Sequence, residues 1–139
     1  MDYLCVYLAT GFTGWILENV YNKNKTPMCA DTLNRKYLNL CMPFLHLWGV
    51  GGIVLLYVIK NFNHINVYVL SLVAGLLLTI LEAVAGLLSY KINGYQTWNY
   101  NDHICPMVGG YIAADVSCIW IFGALLFFIV HRNFLICIK

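Results

Sequence analysis

Apolar residues dominate four stretches of this chain: Tyr3 to Tyr21, Pro43 to Ile59, Val67 to Tyr90, and Gly109 to Val130. A bilayer-spanning helix needs roughly 20 residues at about 1.5 Å each, so each stretch is of spanning order, the second being the shortest. The pattern predicts an all-α, polytopic integral membrane protein, a compact bundle of four transmembrane helices forming a single transmembrane domain over residues 1–139. Met1-Asp2 lacks the basic segment and cleavage site of a secretory signal. The first helix is therefore expected to remain as a signal anchor, without processing.

Three acids break the apolar pattern: Glu18, Glu82 and Asp115. A central acid costs about 2.5–3.5 kcal/mol on insertion scales, so these positions are the first candidates for function. Chain order places Glu18 near the end of helix one, Glu82 past the middle of helix three and Asp115 early in helix four, all in the half facing loops one and three. His46 falls in that half too, with an interfacial set of aromatics that includes Trp48, Trp98 and Tyr100.

Helical spacing shows how the acids can turn inward. Gly75, Thr79, Glu82 and Gly86 share one face of helix three. Small residues let a neighbouring backbone approach, so Gly14, Gly75, Gly86, Gly109 and Gly110 are expected to pack helices, with Gly109/Ala113 and Gly110/Ala114 as pairs on helix four. The Gly49, Gly51, Gly52 cluster follows no strand and precedes no Lys-Ser/Thr, which excludes a phosphate loop. It fits tight packing or a break in a short helix.

The candidate site consists of Glu18, Arg35, His46, Trp48, Glu82, Trp98, Tyr100 and Asp115. One reading is a cation, proton or substrate site in a half-membrane cavity; the other is a hydrogen-bonded knot that fixes helix packing or holds a partner. Arg35, Lys36, His46 and His103 are the candidate cationic partners of the acids. No Gly-x-Ser-x-Gly elbow or His-Glu-x-x-His helix occurs, so no enzymatic activity, catalytic residue or cofactor is expected. No metal site is expected either.

Composition strengthens the membrane reading: 61% of residues are hydrophobic and 10% charged, with a mean hydropathy of +0.73. The net charge of +2 is dispersed and excludes a nucleic-acid binder. Six scattered cysteines form no Cys-x-x-Cys pair and no disulfide framework. Loops one and three hold Lys23, Lys25, Arg35, Lys36 and Lys91, against Lys60, Arg132 and Lys139 on the other side. That bias favours termini on the non-cytoplasmic side. The expected partners are the lipid bilayer and either other proteins or further copies of the chain.

Several patches, in order, resemble a family of small bacterial multi-pass proteins labelled ABC-transporter permeases. Gly14-Trp15 precedes Glu18, like the family's Gly-Trp and Glu in its first helix. Asn34-Arg35-Lys36-Tyr37-Leu38 stands where the family has Asn-Arg-Gly-Phe-Leu, and Leu47-Trp48-Gly49-Val50-Gly51 echoes its Pro-Ile-Tyr-Gly-x-Gly. Leu81-Glu82 matches a Leu-Glu in the third span, and Trp98-Asn99-Tyr100-Asn101 matches Trp-Asp-Tyr-Ser, with Asn99 replacing the aspartate. The resemblance implies a membrane fold and a permease-like role. No Walker-type sequence is present, so any ATP-driven role requires a separate subunit. The 12 asparagines and many Tyr, Ile and Lys also fit an AT-rich genome, which supplies the alternative of a structural protein docking others at a virion internal membrane.

Overall fold

The structure is a computed structural model that describes residues 3–21, 42–94 and 96–137; Arg35 and Lys36 lie outside them. Four helices account for most of these residues: α1 Tyr3–Tyr21, α2 Met42–Phe62, α3 Val67–Asn93 and α4 Ala114–Cys137. Between α3 and α4 a small antiparallel pair, β1 Pro106–Met107 and β2 Ile112–Ala113, brackets a 3-10 turn at Val108–Gly110.

Glycine contacts and side-chain pairs show how the helices run. Lys60 sits over the Tyr3 ring at 4.5 Å, and a Cβ on Gly52 would meet Thr10, while one on Gly14 would meet Trp48. Rising numbers on α1 thus match falling numbers on α2, so the two helices are antiparallel. Their interface is built from glycines on both sides: Gly11 lies against the Leu45 carbonyl and Gly49 against Tyr7. This places the Gly49–Gly52 cluster in tight packing inside a continuous helix. Helices α3 and α4 meet the same way, with Gly75 against Ile121.

The ends are capped by local chemistry. Asn66 starts α3 by accepting the Tyr68 N–H at 2.9 Å. Gly94 ends it with φ 75°, its N–H donating to Tyr90 O, a left-handed stop that glycine adopts without Cβ strain. Arg132 on α4 donates to Asn63 O and Ile65 O, clamping the α2–α3 turn.

Helix four begins later than the apolar pattern predicts, at Ala114 instead of Gly109. Gly109 and Gly110 have φ 67° and 84°, so both stand in a left-handed turn and neither packs a helix as a small-residue pair would. Helix two is longer than expected, running to Phe62, and helix three reaches Asn93. Among the described residues, three helices are long and apolar enough to cross a membrane, over Leu45–Phe62, Val67–Ile92 and Ala114–Asn133. The fourth expected span, α1, is not among them, because Thr10, Gly11, Thr13, Gly14, Glu18 and Asn19 dilute its apolar content.

Polarity is inverted relative to a water-soluble bundle. Glu82, Thr97, Ser71 and Thr79 are buried, while Leu8, Phe12, Leu72, Leu76, Ile80, Leu87, Ile119, Phe122 and Leu126 are exposed. An apolar girdle of this extent marks a surface that something other than water covers. One core, around Leu56, Ile59, Ala74, Ala124 and Phe128, joins α2, α3 and α4. A second, around Leu47, Trp98, Tyr100, Tyr111 and Ala113, lies at the end where α4 begins.

Candidate functional site

Glu82 is 2% exposed and bonds to Tyr100 of the second core. Its helical face carries Gly75, Thr79 and Gly86, as the spacing predicts, and the glycines bring neighbours onto it: Ile121 at Gly75 and the Tyr111 ring at Gly86. Both carboxylate oxygens are satisfied by protein. Tyr100 Oη donates to one at 2.8 Å and Trp120 Nε1 donates to the other at 2.8 Å. An ionised carboxylate is an acceptor only, and two donors aimed at its separate oxygens are what a buried one requires.

Three elements supply this constellation. Glu82 comes from α3, Trp120 from α4, and Tyr100 from the segment between them. That segment folds back along the last three turns of α3, where Thr97 Oγ1 bonds Ser89 Oγ and Tyr111 covers Gly86. Its own carbonyls hold it together. Trp98 Nε1 donates to Tyr111 O at 3.0 Å, and Tyr100 N donates to Gly110 O at 2.8 Å. Gln96 Nε2 donates to Gly109 O at 3.0 Å. Asn99 Oδ1 accepts the Asn101 N–H, an Asx turn that aims Tyr100 inward.

The remaining helices close the site through aromatics. Trp48 of α2 packs on Trp120 with ring centroids 4.9 Å apart, and its other side fills the space left by Gly14 of α1. All four helices are thereby linked to Glu82 through Gly14, Trp48 and Trp120. The Trp48 indole nitrogen is buried and makes no hydrogen bond, so this ring contributes surface and not polarity.

A second polar pair adjoins the first. Asp115, in the first turn of α4, accepts from His103 Nδ1 at 2.8 Å, with both side chains about one-third exposed (35% and 32%). The His103 ring meets Tyr100 edge-on at 5.1 Å. Burial first, then the Glu82 carboxylate it bonds, and then Glu18 and Asp115 push the Tyr100 phenol far above the ordinary tyrosine range.

Of the sequence-predicted residues, Glu82, Trp48, Trp98, Tyr100 and Asp115 come together at this end, with Glu18 half-buried on α1. His46 is exposed, and its Nδ1 shares a hydrogen bond of 2.5 Å with Tyr7 of α1. Arg35 is outside the described residues. The sequence reading missed Trp120, although an indole inside a lipid-length helix is a polar tip in need of an acceptor. Among the described residues, no group of three or more His, Cys, Asp or Glu could hold a metal ion.

A family model described as "Putative ABC-transporter type IV" matches residues 5–138. No curated protein and no solved structure matches the chain.

Proposed function

The chain belongs to the putative ABC-transporter type IV family, and from that premise we propose that it is a multi-pass integral membrane protein with a permease-like role. Its apolar girdle and its three helices of spanning length support placement in a bilayer. The single transmembrane domain carries no nucleotide-binding sequence, so energy from ATP would enter through a separate subunit. The chain itself is not an enzyme. The excess of basic residues in loops one and three supports termini on the non-cytoplasmic side.

Within that role we assign Glu82 to holding the bundle together. The observation that carries this is that each of its two oxygens accepts from a donor on a different element, one from Tyr100 and the other from Trp120. A carboxylate so engaged joins α3, α4 and the intervening segment. The family match favours the permease reading over that of a structural protein in a virion internal membrane.

Two experiments test the reading. Alkaline carbonate extraction of membranes should leave the chain in the bilayer pellet, and its release would remove the membrane assignment. Affinity purification from native membranes should recover a nucleotide-hydrolysing subunit. A chain that purifies alone and is active in solute flux would overturn the need for one. Glu82→Gln separates the two roles of the acid: the amide still accepts from Trp120 and donates to the Tyr100 oxygen, so an assembly role survives, whereas proton- or cation-coupled flux through Glu82 does not.

A further inference from the structure

The segment between α3 and α4 ends in an apolar tip. Ile104 is 65% exposed, Met107 45% and Val108 47%, and Cys105 and Pro106 between them are exposed as well. Five consecutive apolar residues turned outward are unusual in a hairpin facing water. The backbone is bent to present them: Cys105 and Val108 have φ 50° and 52°, and a β-branched residue in that region is strained.

Lying against lipid requires backbone polar groups to be satisfied by protein, and several of the tip's carbonyls are. Ile104 O accepts from Ala114 N at 2.9 Å and Val108 O from Tyr111 N at 3.4 Å. Gly109 O accepts from Gln96. Pro106 and Met107 pair with Ala113 and Ile112, and Pro106 has no N–H to satisfy. The bond from Ala114 N ties the tip to the first residue of α4, a helix of spanning length whose Ile119 and Phe122 are exposed. Polar Asn101 and Asp102, just before the tip in the chain, are exposed as well.

We propose that the tip Ile104–Val108 inserts into the lipid boundary between headgroups and acyl chains, as a membrane contact separate from the spanning helices. This rests on the reading that α2, α3 and α4 cross the bilayer. Inserted there, the tip holds the Tyr100 segment at a fixed depth, and with it the donor to Glu82.

Nitroxide labels at Met107, Asp102 and Leu126, introduced singly as cysteines on a cysteine-free background in phosphatidylcholine vesicles, test this. The ratio of oxygen to nickel-chelate accessibility should be several-fold higher at position 107 than at 102, and close to that at 126. A ratio at 107 equal to that at 102, with 126 still lipidic, overturns the tip proposal alone. A water-accessible 126 overturns the spanning reading and the tip with it. The unmodified chain offers a second measurement should the cysteine-free background fail to fold. Carbene released from a diazirine-bearing phosphatidylcholine acyl chain should leave adducts on residues 104–108, and adducts on α3 and α4 without any on the tip would refute the insertion.

Discussion

Glu82 and Trp120, 38 residues apart, are joined by a 2.8 Å hydrogen bond across the α3–α4 interface. The Trp48 ring lies on Trp120 but makes no hydrogen bond of its own. Trp120→Phe and Trp48→Phe remove similar ring volume, yet only the first strips a donor from a buried carboxylate. Thermal unfolding in detergent should show Trp120→Phe to be the more destabilising by about 1–3 kcal/mol. Equal losses would mean that the indole N–H contributes nothing and that ring packing accounts for both effects.

Tyr100→Phe removes the other donor to Glu82 and should cost a similar amount, about 1–3 kcal/mol. His103→Ala, which breaks a pair about one-third exposed, should lower the unfolding midpoint less than Tyr100→Phe does. The ranking of these two variants by unfolding midpoint reads directly whether the buried or the exposed polar pair holds the segment in place.

Glycine substitutions separate crowded from open helix faces. A Cβ on Gly14 would lie 1.9 Å from Trp48 Cγ, whereas one on Gly123 meets nothing within 4 Å. Gly14→Ala should destabilise by about 1–3 kcal/mol through overpacking, and Gly123→Ala should be neutral or stabilising by up to about 1 kcal/mol through helix propensity. Gly110→Ala should also destabilise, since its φ is 84° and its Cβ would lie 2.6 Å from the side-chain oxygens of Asn99 and Asn101. Differential scanning fluorimetry of the three variants side by side is the measurement.

The Tyr100 phenol is raised above the tyrosine range by burial and the surrounding acids, so the folded state favours its neutral form. The sign follows from linkage: this contribution is fully present below about pH 10, where an unfolded tyrosine is neutral, and is lost as pH climbs further. An ultraviolet titration should therefore find Tyr100 still protonated above the pH at which a free tyrosine ionises. Tyr100→Phe should remove one late-titrating group from the curve. An unchanged number of late groups would place the shielded phenol elsewhere.

Much of the architecture was legible because apolar run length and helical spacing are local properties. The run from Val67 and the face carrying Gly75, Thr79, Glu82 and Gly86 both reappear in α3. The start of α4 was not legible. An apolar run beginning Gly109-Gly110-Tyr111-Ile112 looks helical by hydropathy, but positive φ at both glycines and strand pairing of Ile112 with Met107 divert it. Trp120 escaped notice for a different reason: its partner is remote in sequence, and nothing local marks one indole in an apolar helix as a donor to an acid on another.

Helix α3, with 27 residues, is about 40 Å long at 1.5 Å per residue, against roughly 30 Å of hydrocarbon. The surplus matters because Gly75 lies against Ile121, so α4, starting at Ala114, begins about three turns short of the end of α3. The overhang is a wall against which a chain with no helix of its own can descend. In a bundle whose rods all stopped at one height there would be no sheltered flank for that descent, and the carboxylate of Glu82 would open onto water.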